Sequence, residues 1–425
     1  MIKSSSVFTG PHPRKGLRIA MALYGDLTHD SRVIREAETL CRAGHSVTVC
    51  CLGGSGAPDA PFRVLTHVPA GWAVLPDGSS PFLNPSRRSV VGRLRARIRW
   101  ILGYARTMRA WGRWAVAAAG DVDVWHAHDL TGLMAVGPLV REPRRLVYDS
   151  HEIFLETGTS ARLPRPLRRA LSMYERRLAR RASVLVTVNE GYADVLRRRL
   201  RPRLVIIVRN CPPRWQPPAE GSPSPLRAVV GASPSQPLVL YHGLFAHHRG
   251  IEELVGAMLV PGLDSVHVAL LGFGLTRLEL ERLAHDPRLQ GRLHVLEAVP
   301  PDELLSWVSG ADVDVMALQH SSLNHWLCSP NKLWESLAAG VPVVVSDFPV
   351  MRRVVIDDPA GTMGAVCDPA SATSIAAAIR SIFDSPCEDR IALRGRCLQA
   401  AHDRWNWEIE SSRLVDLYRE ILLGA

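Results

Sequence analysis

The chain holds 425 residues, 47% apolar and 22% charged, with a formal charge of +10 at neutral pH. That length exceeds what one hydrophobic core serves and suits two domains of about 200 residues each, and the composition excludes a disordered or fibrous chain. No run approaches the roughly 18 uninterrupted apolar residues of a membrane span.

The first fifteen residues, MIKSSSVFTGPHPRK, lack the apolar stretch of a signal peptide and read as a flexible terminus, 1–15. Eight cysteines without a CxxC spacing read as buried free thiols of a reducing cytoplasm. The positive charge is uneven: arginines crowd 87–113 and 162–203. Such a face meets nucleic acid, anionic lipid or an anionic substrate, or is only a solvated surface. No zinc-finger, RRM or KH signature supports the first, and no nucleic-acid partner is expected.

Residues 17–23 form a buried strand, 24–31 a loop, 32–43 a helix stopped by Gly44, and 46–52 the next strand. This βαβ unit begins a parallel sheet. Gly25, in the first βα loop, leaves room for a ligand to approach the backbone, although one glycine is not GxGxxG. A third strand follows at 62–68. After a Pro/Gly/Ser-rich loop, 87–119 is a long helix with an apolar stripe of Val91, Leu94, Ile98, Leu102, Ala105 and Met108 between arginines. That stripe either lies on an anionic membrane or packs inward. Strands at 121–127 and 145–149 end at His128-Asp129 and at Ser150-His151-Glu152. Ligands of open α/β sheets bind at the carboxyl ends of strands, so two neighbouring ends that each set a histidine beside an acid mark a site. Strands at 184–189 and 204–208 complete a first domain, 16–209.

Residues 210–237 hold eight prolines and read as a linker. A second α/β series fills 238–404: strand 238–242, loop 243–250, helix 251–259, strand 266–271, strand 293–296, a helix from 301, strand 313–318, and late helices 371–384 and 388–403. An amphipathic helix in 405–425 carries Trp407, Leu414, Leu417 and Ile421 on one stripe.

The stretch SPNKLWESLAAGVPVVVSD, 329–347, organises this half. Ser329 reads as the N-cap and Pro330 as the first helical residue; Gly340 and Pro342 end the helix, and 341–345 is a strand buried on both faces. The first-turn amides form an anion site. Lys332, the one lysine after Lys15, sits in that turn, where the helix dipole disfavours a cation unless an anion is also there. Glu335, one turn on, suits hydrogen bonds from sugar hydroxyls. Arg249, beside Gly250 at the end of a βα loop, reaches a phosphate bidentately and with Lys332 makes a diphosphate clamp. The DVDV runs at 121–124 and 312–315 open buried strands, so no metal is expected.

With these motifs in view, the chain resembles the family 4 retaining glycosyltransferases of the GT-B fold. DSRVIREAETLCRAGHSVTV, DVWHAHD, YDSHEIF, VRNCPP, YHGLFAHHRGIEEL and SPNKLWESLAAGVPVV appear in the family's order over nearly the whole chain. The resemblance implies two Rossmann-like domains facing across a cleft, with the last helix crossing back to the first. It implies transfer of a hexosyl or N-acetylhexosaminyl group from a UDP- or GDP-sugar, retaining anomeric configuration, with no metal or cofactor beyond that substrate. By the same resemblance Arg249 and Lys332, with the backbone at Ser329 and Asn331, hold the diphosphate. Glu335 takes the ribose, Gly243 and Gly250 shape the donor loop, and Gly25 admits the diphosphate from across the cleft. His128 lies beside the sugar and acceptor hydroxyl, with Asp129, His151 and Glu152 on the acceptor side. Two positions depart: Leu244 and Leu327 stand where the family often has Arg and Glu. The acceptor stays open between a polysaccharide, a lipid-linked saccharide and a small natural product. The expected location is the cytoplasm, with peripheral membrane contact through 87–114 left open. A nucleotide-sugar epimerase and a non-catalytic scaffold of the same fold are the other readings.

Overall fold

The computed structural model describes residues 16–28, 30–54, 59–69, 90–142, 145–219, 221–289 and 291–423, with backbone alone for 90–101, 159, 422 and 423. The expectations for 1–15, for 87–89 and for the side chains of Val91, Leu94 and Ile98 fall outside these residues.

Among the described residues, two parallel sheets carry the fold. The first has seven strands: β1 (Arg18–Leu23), β2 (Ser46–Cys51), β3 (Arg63–Thr66), β4 (Val124–His128), β5 (Leu146–Ser150), β6 (Val184–Thr187) and β7 (Val205–Ile207), in the order β3-β2-β1-β4-β5-β6-β7. The second has six: β8 (Leu238–Phe245), β9 (His267–Gly274), β10 (Leu293–Leu296), β11 (Val313–Met316), β12 (Val343–Ser346) and β13 (Gly364–Cys367), in the order β10-β9-β8-β11-β12-β13. Helices cover both faces, which is why central strands such as Val343–Ser346 are wholly buried and read as unbroken apolar runs. Strand order reverses between β1 and β4, and again between β8 and β11. Loops leaving those strands diverge to opposite faces, so each sheet opens a crevice at its switch point.

One face of the first sheet packs on the helices Ser31–Arg42 and Trp407–Leu423 through Val33, Ala37, Leu40, Trp407, Leu414 and Leu417. Trp407 Nε1 donates to Thr39 Oγ1 at 2.9 Å, and Tyr418 Oη lies 2.9 Å from His126 Nδ1. The last helix therefore returns to the first domain, as its apolar stripe requires. The other face packs on Val90–Ala119 and on the helices after β4 and β6. There Met108, Trp111 and Ala115 point inward and are buried, while Arg106, Arg109 and Arg113 are exposed. Of the stripe's described side chains, Met108 is buried in the core, Ala105 is half-buried and Leu102 is exposed, so only its C-terminal end packs inward.

Several sequence expectations change. Pro225–Val230, inside the stretch read as linker, is a helix whose Leu226 and Val230 join the second domain's core. A helix at Pro349–Val355 and the edge strand β13 were not anticipated. Pro330, not Ser329, is the N-cap: its ring holds φ at −66° with ψ at 148°, the extended entry to a helix. The Ser329 hydroxyl is engaged instead by Asn189 Nδ2, 3.1 Å away in the first domain. All eight cysteines are free thiols, with Cys387 exposed and Cys41 and Cys328 partly so.

Candidate functional site

The crevices of the two sheets face each other and merge into one cleft of about 1070 Å³. The first domain lines it with Asp26, Thr28 and Arg35 after β1 and with His151 and Glu152 after β5. The second lines it with Gly243, Leu244, Arg249, Ser329, Asn331, Lys332 and Glu335.

On the second-domain wall the helix Asn331–Ala338 begins at the cleft without a side-chain cap, so its leading amides are left for an anion. The Lys332 ammonium sits 3.5 Å from the centre of the Tyr241 ring. Burial pushes Lys332 down to about 7, against the pull of Asp314 and with Arg249 adding to the fall. Gly243 has φ of +117°, and a Cβ there would sit 3.8 Å from Lys332 Cε and 3.9 Å from Nζ. Gly250 is more constrained. With φ of +72°, its Cβ would fall 2.0 Å from the Ala317 carbonyl, so glycine alone lets the loop pass the end of β11 and deliver Arg249 to the cleft. Glu335 Oε2 lies 3.0 Å from His242 Nε2, and His242 Nδ1 lies 3.0 Å from Asp314 Oδ2. Burial opposes charge on that imidazole, but Asp314 and Glu335 raise it to about 9.

Behind the opposite wall is a buried charge network. Arg32 grips Asp149 with two hydrogen bonds, Nε to Oδ2 at 2.9 Å and Nη2 to Oδ1 at 3.1 Å, and lies 3.0 Å from Glu36. Burial alone would raise the Asp149 carboxyl, yet Arg32 and His151 hold it well below the usual range. Glu36 goes the other way, raised well above that range by burial. His151 is lifted to about 10 by Asp129 and Asp149 against the effect of burial. Asp129, in left-handed backbone (φ 55°), turns sharply out of β4 and accepts the His151 amide at 3.2 Å.

His128 is the clearest correction on this side. Expected beside the substrate, it is fully buried and does not line the cleft. Its ring stacks on His126 at 4.5 Å, and its Nδ1 meets His151 Nε2 at 3.2 Å. Burial and the two neighbouring histidines push it well below 6.5. Gly25 does not line the cleft either, and a Cβ there would meet only the Leu23 side chain at 3.6 Å. None of the described residues at that point demands glycine.

Donor atoms of Glu36, His126, His128 and Asp149 lie within 4.8 Å of one another. The Arg32 guanidinium already occupies the carboxylates of that set, and a second cation there would be repelled. The set does not fit a divalent ion. The DVDV carboxylates are engaged too: Asp121 and Asp123 by Arg18, Asp312 by Arg227, Asp314 by His242.

Direct bonds close one side of the cleft. Asn324 Oδ1 accepts the Ile153 amide at 3.1 Å, Tyr192 Oη donates to the Asn324 carbonyl at 2.9 Å, and Asn189 Nδ2 donates to the Leu327 carbonyl at 3.0 Å. The Leu327 side chain packs on the first domain's core, so the position where the resemblance suggested Glu serves an apolar contact between domains. Leu244 stays partly exposed at the lip, paired in register with Phe273. Tyr241, His242 and Asp314 were missed from sequence. The only signal was a histidine directly before Gly243 in YHG; Asp314 looked like part of a buried strand.

Residues 31–211 match the family described as Glycosyltransferase Family 4, and residues 225–402 match Glycosyl transferases group 1. The phosphatidyl-myo-inositol mannosyltransferase of Mycolicibacterium smegmatis is 26% identical over 428 residues, covering 93% of this chain and 90% of that protein. A D-inositol 3-phosphate glycosyltransferase of Xylanimonas cellulosilytica is 28% identical over 200 residues, a match that takes in 46% of this chain and 45% of that protein. Among solved structures, Anabaena HepE in complex with UDP has a TM-score of 0.65 at 14% identity, over 95% of this chain and 100% of that one; this is a likeness of fold.

Proposed function

The chain belongs to the family 4 glycosyltransferases of the GT-B fold, and on that premise we propose that it moves a hexosyl or N-acetylhexosaminyl group from a nucleotide-diphosphate sugar to a hydroxyl acceptor, with retention of anomeric configuration and without a metal. The observation that carries this reading is the convergence of Arg249, Lys332 and Glu335 on one wall of the cleft, at the head of a helix, with His151 and Glu152 across it.

In this reading Arg249, Lys332 and the amides of Ser329 and Asn331 take the charge that gathers on the diphosphate as the glycosidic bond breaks. The acceptor proton passes to a leaving phosphate oxygen, so no carboxylate nucleophile is needed. Glu335 accepts hydrogen bonds from the ribose. His151, Glu152 and Asp129 serve the acceptor, and His128 reaches it only through His151. UDP bound to the similar Anabaena protein supports a UDP-sugar as the first donor to try, with a GDP-sugar second. The named activity of the mycobacterial relative supports a lipid-linked acceptor, with a polysaccharide or small natural product as the alternatives. We place the enzyme in the cytoplasm, in peripheral contact with anionic membrane. The support is the row of exposed arginines that the outer helices of the first domain present, among them Arg106, Arg109, Arg113, Arg165, Arg169, Arg177 and Arg180. No described helix is long and apolar enough to cross a membrane.

The test is a thermal-shift screen of UDP-, GDP- and dTDP-sugars, followed by turnover of the best one with and without acceptor. Transfer to the acceptor is the expected result, and Lys332→Ala should lower it about 10²-fold or more. Release of an epimerised sugar nucleotide without acceptor, or turnover within twofold of wild type in Lys332→Ala, would overturn the reading.

A further inference from the structure

Glu335 is not free to choose its own orientation. His242, in β8 and only 3% exposed, approaches its Oε2, while the other ring nitrogen faces Asp314 on β11. Asp314 is fully buried and also accepts a hydrogen bond from the Ser336 hydroxyl, one residue beyond Glu335 on the same helix. The bridge therefore ties two adjacent strands to the donor-side helix at its first turns. Each ring nitrogen faces a carboxylate, so each is best used as a donor, and that requires the charged imidazole. Glu335 Oε1 has no partner among the described residues, and its side chain lines the cleft. A glutamate held by one oxygen presents the other in a fixed direction, with the entropy of its flexible side chain already lost before a ligand arrives.

We propose that His242, braced by Asp314, is a positioning residue that holds Glu335 so that Oε1 meets the 2′-hydroxyl of the donor's ribose, and that it thereby sets a preference for ribonucleotide over 2′-deoxyribonucleotide donors. The inference rests on the reading of Glu335 as the ribose acceptor. A hydroxyl donating to a carboxylate is among the stronger neutral-to-charged hydrogen bonds, and its loss lowers affinity about tenfold or more when the acceptor is fixed. Were Glu335 mobile, it would turn to the 3′-hydroxyl or to water, and the 2′-position would matter little.

The experiment measures affinity for UDP and for 2′-deoxy-UDP, with GDP and 2′-deoxy-GDP as the second pair, on wild type, Glu335→Ala and His242→Gln, each checked for a cooperative melt. Wild type should favour the ribo form about tenfold or more, and Glu335→Ala should bring the ratio near one. For His242→Gln the expected ratio is within about threefold of one, through weaker ribo binding, while affinity for the deoxy form stays within about twofold of wild type. A His242→Gln ratio equal to wild type, or an equal loss for both nucleotides, would overturn the positioning role and leave the Glu335 reading intact. A wild-type ratio near one, or a ratio unchanged in Glu335→Ala, would overturn the ribose reading itself. Should His242→Gln not fold, Asp314→Asn keeps the shape of the bridge while removing the charge that favours the protonated ring, and the same ratio decides.

Discussion

Binding of the donor should take up a proton at Lys332. Burial has moved this ammonium down to about 7, so at pH 8 about nine-tenths of the free protein carries it neutral. A phosphoryl oxygen about 3 Å away, at an effective dielectric of about 20, attracts the ammonium by roughly 5 kcal/mol. Even with half of that lost to water, the bound lysine would titrate about two units higher. Uptake should then be about 0.8 proton at pH 8 and about 0.5 at pH 7, and affinity should fall about sixfold from pH 7.5 to 8.5. Titration calorimetry with UDP-glucose, whose diester phosphates do not titrate near neutrality, reads this directly. Heats measured at pH 8 in phosphate and in Tris should differ by the ionisation enthalpies times the protons taken up. Lys332→Arg keeps a permanent charge, and its heats should not depend on buffer. Wild-type heats independent of buffer at pH 8, with affinity flat from pH 6.5 to 8.5, would refute the reasoning.

Other substitutions probe the frame around the site. Gly250→Ala forces a Cβ to within 2.0 Å of the Ala317 carbonyl from a left-handed backbone; a loss of about 1–3 kcal/mol in urea unfolding and a tenfold or larger fall in kcat/KM are expected as Arg249 shifts. Arg32→Met removes the guanidinium between the buried Asp149 and Glu36 and leaves Asp149 with His151, 3.4 Å away, as its remaining cation; stability should drop by about 3–5 kcal/mol at pH 7 in urea unfolding. Trp407→Ala removes a buried indole and its bond to Thr39; about 3–5 kcal/mol should go, with earlier proteolytic cleavage ahead of the last helix.

Much of the architecture was legible because its signals are local. The apolar runs at β1, β2 and β12 recur as buried strands, and Gly340 closes its helix where the pattern placed the stop, at φ of +71°. The site was only half legible. Arg249, Lys332 and Glu335 could be placed together, since each sits at the end of a strand or the head of a helix in a sheet whose switch point was implied. His128 was misplaced for a physical reason. A strand's last residue points to one face or the other according to a register that only pairing determines, and pairing with β1 and β5 turns this imidazole toward the Arg32 network. Ser329 was misread because nothing in its own stretch could announce Asn189, which lies 140 residues away.

By itself, then, the order of residues determined two parallel α/β halves, a helix head suited to an anion, and a final helix with an apolar face to bury. Those features depend on contacts a few residues apart and on solvent exclusion, which any chain with that pattern obeys. The assignment of charge was decided only in three dimensions. Arg32 meets Asp149 across 117 positions, His242 meets Glu335 across 93, and Tyr418 meets His126 across 292. Whether a histidine is neutral or an ammonium half-charged follows from such distant neighbours and from burial, because both act through space and not along the chain.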